Sequence, residues 1–148
     1  MPLNSARKRQ TFEAASPLLF QGETVELITC ANVGSVSVRR QVATAVVVGL
    51  VSAGTMMATV RPRQMYVVLT DRRLLFFDAS TSTGKPGRLL MDFPRPHVSA
   101  GVPRKGMFGL TVVTELVVAG HDRGLKLAFP TPCRAEGRTL AEALPSSI

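Results

Sequence analysis

Apolar and polar positions alternate with the short period of β-strands over most of this chain. β-Branched, aliphatic and aromatic residues are concentrated in short runs, and turn-forming residues separate one run from the next. Runs of this kind at close spacing are typical of antiparallel strands joined by hairpins. The pattern predicts strands at residues 24–30, 64–70, 74–78, 88–93, 98–102, 110–119 and 125–129.

Two segments carry helical signals, one near each end of the sequence. Residues 5–16 are compatible with a short amphipathic helix that begins at an Asn4 or Ser5 cap and ends before Pro17. A basic N-terminal arm without regular structure is the alternative, because short terminal helices fray. Residues 1–19 are therefore interpreted as either such an arm or a short helix.

The C-terminal segment gives the clearer helical signal. Thr131 is a candidate N-cap, and good helix formers follow from residue 133 to residue 144, where Pro145 ends the run. Leu140 and Leu144 are four residues apart and share one helix face. We expect this helix to dock on the sheet, with residues 145–148 as a tail.

An apolar segment interrupts the strand pattern near the middle of the chain. Residues 41–60 are twenty uncharged residues, of which thirteen are Ala, Val, Leu or Met. A segment of this length could span a bilayer, but its Gly, Thr, Ser and Gln residues offset much of the gain from insertion. Spanning would also separate strand 24–30 from its partners across the membrane, which leaves strand edges unpaired at several kcal/mol per group.

We therefore expect residues 41–60 to leave and return on one side, and two interpretations stay open. The segment enters a membrane interface while flanking arginines hold lipid phosphates, or it packs on the protein or against a second copy. The candidate lipid- or anion-binding residues are Arg39, Arg40, Arg61 and Arg63. The candidate residues for contact with a membrane or partner are Val46, Val47, Gly49, Leu50, Ala53, Met56 and Met57.

The net charge of +8 favours partners that carry phosphate. Proteins that bind single-stranded nucleic acid usually stack bases on aromatic side chains, and this chain has no Trp and one Tyr. We therefore expect an anionic phospholipid surface or a protein partner, with no nucleic acid. A homo-oligomer is a further possibility.

The residues that carry reactive chemistry are few. Two cysteines are too few for a disulfide framework or a structural zinc site, and two histidines leave little material for a catalytic set. We expect no catalytic residues, no metal site, no cofactor and no enzymatic activity. Cys30 and Cys133 could meet where the first strand passes the terminal helix, and in a reducing cytoplasm two buried thiols are the expected state.

A tight turn at residues 70–73 joins two of the most apolar predicted strands. Asp71 can hydrogen-bond to its own backbone two residues further on and hold the turn. Strand alternation then predicts that Arg72 and Arg73 point outward while Leu74 and Phe76 point inward. The two arginines are interpreted as a solvated hairpin tip, with a ligand site as the alternative.

Two segments of this chain resemble the bacterial pleckstrin-homology-like (PH-like, or GRAM-like) domains. They are Gly22-Glu23, just before the first strand, and residues 66–77, in which Leu-Thr-Asp-Arg-Arg-Leu at 69–74 is the most specific piece. By the order of elements the resemblance covers residues 20–144. It implies a mainly β fold: an orthogonal sheet pair, or partly open barrel, of about seven antiparallel strands with a C-terminal capping helix.

The chain departs from eukaryotic members of this class in two respects. Its last helix has no Trp, and the region between its first strands holds the apolar insertion, about 41–60, in place of a spaced Lys/Arg cluster. Phosphoinositide specificity is therefore not carried over. From the apolar segment and its flanking arginines we expect a non-catalytic PH-like binding module that associates peripherally with the inner face of a membrane in the cytoplasm. The alternative is a protein-interaction or self-association domain that uses residues 41–60.

Overall fold

The computed structural model describes residues 5–37, 63–80, 82–120 and 123–145. These ranges contain two α-helices and eight β-strands, so the described fold is mainly β with a C-terminal helix. In chain order the elements are α1 (Ser5–Ala15), β1 (Val25–Ser37), β2 (Arg63–Thr70), β3 (Arg73–Ala79), β4 (Pro86–Pro94), β5 (Val98–Ala100), β6 (Arg104–Gly106), β7 (Thr111–Val118), β8 (Arg123–Phe129) and α2 (Arg134–Ala143).

All eight strands belong to one antiparallel sheet in the order β4-β3-β2-β1-β8-β7-β5, with β6 also paired to β7. The sheet is not closed, because β4 and β5 lie at its two edges. β1 joins its two halves, since residues 25–33 pair with β2 and residues 32–37 pair with β8. The prediction that the first strand shares one hydrogen-bonded sheet with the later strands is confirmed.

The core is densest around β2 and β3, which are buried on both faces. All residues of β2 from Met65 to Thr70 are buried, as are the four consecutive residues of β3 at 74–77. Leu74 and Phe76 are buried as predicted, and Leu75 and Phe77 on the opposite face of β3 are equally buried. Helix α1 packs against β1, β2 and β4, so the second face of this part of the sheet is also withdrawn from water.

Two local predictions differ from the structure. β1 continues past Gly34 and Ser35, which the sequence pattern treats as irregular, because β8 supplies pairing partners as far as Ser37. The sequence pattern predicts no strand between residues 102 and 110, but Arg104–Gly106 forms the short strand β6 beside β7. The predicted N-terminal helix is present as Ser5–Ala15, while Asn4, one of its two proposed caps, lies outside the described residues.

Helix α2 docks on the sheet as predicted, and Leu140 and Leu144 are buried. A 3₁₀ turn over Thr131–Cys133 precedes it, so Thr131 is not its N-cap. The Thr131 hydroxyl instead donates to the Leu110 carbonyl at 2.8 Å. Gly137 allows the helix to approach closely, because a Cβ at this position would lie 2.4 Å from the Phe129 ring.

Candidate functional site

One end of the sheet carries the attachment points of the apolar segment. We call it the loop end; it comprises Ser37, Arg63, Asp78 and residues 80 and 82–88. β1 ends there at Ser37 and its antiparallel neighbour β2 begins there at Arg63, which is aligned with Val33. Residues 38–62 therefore join two adjacent strands at the same end of the sheet.

Most of the predicted site residues belong to that connection and lie outside the described residues. They are Arg39, Arg40, Val46, Val47, Gly49, Leu50, Ala53, Met56, Met57 and Arg61. Arg63 is described: it begins β2 and forms an ion pair with Asp78 on β3. Arg63 thus has a carboxylate partner, which offsets part of its attraction for an external anion.

Two other cations of the loop end are better placed to meet an external anion. Lys85 lies just before β4 and Arg88 lies near the start of β4; both are exposed, and no described carboxylate forms an ion pair with either. Neither residue is among the candidate cations predicted from the sequence. They could have been predicted, because both follow the Ser/Thr/Gly loop after the predicted strand 74–78. That strand is the predicted hairpin partner of strand 64–70.

The loop that carries Lys85 is held from both sides. Arg7 of α1 donates through Nη2 to the Thr83 carbonyl at 2.8 Å. The Tyr66 hydroxyl donates to the carbonyl of Gly84, whose φ of 75° is the left-handed conformation that glycine adopts without strain. Lys85 therefore belongs to a braced turn rather than to a free loop, and Arg88 belongs to the strand that follows the turn.

The opposite end of the sheet, which we call the turn end, comprises residues 20–26, 70–73 and 92–95. Its centre is an ion pair between Arg73 and the fully buried Glu23 side chain. The Arg73 guanidinium donates to both Glu23 carboxylate oxygens, at 3.1 and 2.9 Å, and to Asp92 Oδ2 at 3.1 Å. It also lies 4.3 Å from the Phe20 ring centroid.

The charged state of Glu23 is strongly stabilised. Burial raises the pKa of this carboxyl, but hydrogen bonds from Arg73, the Thr70 hydroxyl and the Phe20 backbone N–H outweigh burial and lower it to about 2. Arg73 is therefore neither a solvated tip nor a free ligand-binding cation, and that prediction is wrong. Arg72 is exposed as predicted.

Thr70, rather than Asp71, holds the turn. The Thr70 hydroxyl oxygen accepts from the backbone N–H groups of Arg72 and Arg73 at 3.1 and 2.8 Å, and the hydroxyl donates to Glu23 Oε2 at 2.6 Å. Asp71 Oδ1 accepts from the Thr24 N–H at 2.9 Å and so ties the turn to the start of β1. The two segments that carry the PH-like resemblance thus meet in one hydrogen-bonded cluster.

A second cluster of reactive groups lies where β1, α1 and α2 approach one another. Cys30 and Cys133 are buried, with their Sγ atoms 3.5 Å apart. Next to them the Thr29 hydroxyl donates to Glu136 Oε1 at 2.9 Å, and Lys8 Nζ lies 2.8 Å from Glu136 Oε2. The predicted meeting of the two cysteines is confirmed, and both are free thiols.

The same region borders an open groove of about 340 Å³, at the point where β1 changes partner from β2 to β8. Asn32, Gln64 and Pro130 are among its lining residues. A search of the described ranges finds no group of three or more His, Cys, Asp or Glu side chains arranged to hold a metal ion. No α-helix within those ranges has both the length and the apolar character needed to cross a bilayer.

No family model matches this chain, and comparison with curated proteins finds no match. Its function is therefore argued from the geometry of the loop end and the chemistry of the connecting segment.

Proposed function

We propose that this protein is a non-catalytic, PH-like binding module that associates peripherally with an anionic membrane surface through its loop end. The observation that carries the proposal is topological: the apolar segment joins Ser37 and Arg63, on neighbouring strands, and thus departs from and returns to one end of the sheet. A segment attached in this way can meet a membrane from one side without opening the sheet.

The charges of the loop end support the same orientation. Arg63, Lys85 and Arg88 lie there, and Arg39, Arg40 and Arg61 flank the apolar segment in sequence. Each basic residue near an anionic bilayer contributes about 1 kcal/mol, which salt screens. An apolar segment between cations is the composition expected of an interfacial contact, for which the cytoplasmic leaflet is the anionic surface.

The PH-like assignment rests on two features together. The first is an open antiparallel sheet followed by a packed C-terminal helix. The second is the contact of Glu23 with Thr70 and Arg73, which unites the two segments of the sequence resemblance. These features support a binding scaffold whose turn end is structural and whose loop end is available for a partner.

Co-sedimentation of the full chain with vesicles tests the proposal. We expect binding to vesicles that contain phosphatidylserine, weaker binding to pure phosphatidylcholine vesicles, and a decline as salt is raised. Deletion of residues 42–59 should abolish sedimentation. Arg88→Glu should lower the apparent partition constant by at least tenfold, because a charge reversal removes one attraction and adds one repulsion.

Arg72→Glu is the matched control, because it makes the same charge change at an exposed arginine of the turn end. It should change binding far less than Arg88→Glu. Equal binding by the intact chain and the deletion variant would contradict the proposal. A dimer that is insensitive to salt and detergent, and that is lost on deletion of residues 42–59, would identify that segment as a self-association surface instead.

A further inference from the structure

The chain has only two cysteines, and the fold brings them together from positions 103 residues apart in sequence. We propose that Cys30 and Cys133 form a reversible redox modification site, at which a hydroperoxide oxidises the two thiols to a disulfide that joins β1 to the start of α2. This site includes no residue of the loop end and does not depend on the proposed membrane function.

The geometry of the pair supports direct bond formation. The two Sγ atoms are 3.5 Å apart, and a disulfide requires about 2.05 Å, so a relative displacement of about 1.5 Å closes the bond. Cys30 lies on a strand, and Cys133 lies in the 3₁₀ turn immediately before α2. The required movement is therefore a small shift of a helix start toward a strand.

The surroundings make the two sulfur atoms unequal. The hydrogen bond with the Cys30 thiol, together with a hydrogen bond from the Cys30 backbone N–H, lowers the pKa of Cys133 despite burial. The same contact with Cys133, together with burial, raises the pKa of Cys30. Cys133 is also the N-cap of α2, where the helix dipole favours a thiolate, so we assign Cys133 as the attacking thiol and Cys30 as the resolving thiol.

The oxidation balances in two steps. The Cys133 thiolate attacks one oxygen of the hydroperoxide, the O–O bond breaks, and the departing oxygen takes a proton and leaves as an alcohol, or as water when the oxidant is hydrogen peroxide. Cys133 is then a sulfenic acid. The Cys30 sulfur attacks the Cys133 sulfur, the S–O bond breaks, and hydroxide leaves as water with the Cys30 proton, so the two thiols supply both electrons.

Burial determines which oxidants and thiol reagents are expected to react with the two cysteines. Cys30 is 4% and Cys133 1% exposed, so bulky thiol reagents are excluded while the fold is intact. Hydrogen peroxide is close to water in size and can reach the pair through small fluctuations beside the groove that Gln64 and Pro130 line. The pair should therefore react with peroxide while it resists large aromatic disulfide reagents.

Peroxide titration of the reduced full chain under native conditions tests the proposal, with alkylation in denaturant followed by mass spectrometry. We expect both thiols to be lost together, an intact mass lower by two hydrogen atoms, and one linked peptide that contains Cys30 and Cys133. Dithiothreitol should restore both thiols. The oxidised form should melt roughly 10 °C higher, because the bond closes a loop of about 100 residues.

The single variants serve as matched controls, because neither can form the bond. Cys30→Ser should accumulate a sulfenic acid at Cys133, which dimedone traps when it is added together with denaturant, whereas Cys133→Ser should yield little adduct at Cys30. Oxidation of methionines with both thiols still open to alkylation would overturn the proposal. Disulfides found only between two chains would overturn it as well, and both outcomes are read on the wild-type chain alone.

Discussion

The two ends of this sheet use arginine in opposite ways. At the turn end, Arg73 binds Glu23 and Asp92, and Arg95 binds Glu26 at 2.8 Å. At the loop end, Arg88 is exposed without an ion pair to a described carboxylate. The comparison shows that a net positive charge forms a surface available to an external anion only where the fold leaves cations without carboxylate partners.

The difference follows from where the acidic residues lie. Glu23, Glu26, Asp71 and Asp92 all lie at the turn end, and each accepts a hydrogen bond there. The described loop end holds one carboxylate, Asp78, which is paired with Arg63. Carboxylates therefore stabilise one end of the sheet and leave the other with an excess of positive charge.

The substitution with the largest expected effect on this comparison removes the buried carboxylate of the turn end. Glu23→Gln should lower the free energy of unfolding by about 3–5 kcal/mol, because it leaves the Arg73 guanidinium without its main counter-charge. Asp78→Asn, the corresponding change at the loop end, should cost less than about 1 kcal/mol because its pair is partly exposed. Urea unfolding measures both, and similar losses for the two variants would contradict the comparison.

Acid should also lower the free energy of unfolding through the turn end, because it protonates the same carboxylate. The pKa of Glu23 is about 2 in the fold against an ordinary 4.5, so the unfolded chain takes up the proton first as pH falls. The stabilisation is complete above pH 4.5 and is lost toward pH 2, and by pH 3 the loss reaches about 2 kcal/mol.

Urea unfolding at pH 6 and pH 3 measures this loss, with Glu23→Gln as the reference. The wild type should lose about 2 kcal/mol more than the variant over that interval, since the variant lacks the titrating group. Equal losses for the two proteins would mean that the acid sensitivity arises from other carboxyls.

The smallest expected effect compares one substitution at the two ends. Arg95→Gln should cost about 1–2 kcal/mol, because Arg95 also donates to the carbonyls of Thr70 and Ala143, at 3.0 and 3.2 Å. Arg88→Gln should change the free energy of unfolding by less than about 0.5 kcal/mol, as is usual for an exposed side chain without partners. Thermal unfolding monitored by circular dichroism resolves this difference, and a larger loss for Arg88→Gln would reverse the assignment of the two ends.

Local pattern was sufficient to predict most of the fold. The hairpin of β2 and β3 and the docking of α2 follow from apolar runs and a four-residue spacing, both of which are properties of neighbouring residues. β6 was missed because Pro103 and Gly106 indicate a turn, whereas pairing with β7 decides the structure. The end of β1 was missed for the same reason, because its partner strand lies about ninety residues away.

The candidate site was less predictable because its charges are defined by distant partners. The pairing of Arg73 depends on a carboxylate fifty residues earlier, and no local pattern distinguishes it from exposed Arg72. Lys85 and Arg88 become candidate anion-binding residues only when β3 and β4 place them at the same end of the sheet as Arg63. The contact of the two cysteines was easier to predict, because the first strand and the terminal helix are expected to cross and each carries one cysteine.

The double pairing of β1 also bears on how the chain is made. During synthesis the first part of β1 can pair as soon as β2 emerges from the ribosome, but residues 34–37 wait for β8 at residues 123–129. Until then the growing chain presents an unpaired strand edge beside a long apolar segment, a combination that invites aggregation. Pairing with β8 therefore removes a risk of aggregation that arises early in translation, and a nascent chain truncated before β8 should depend on chaperones.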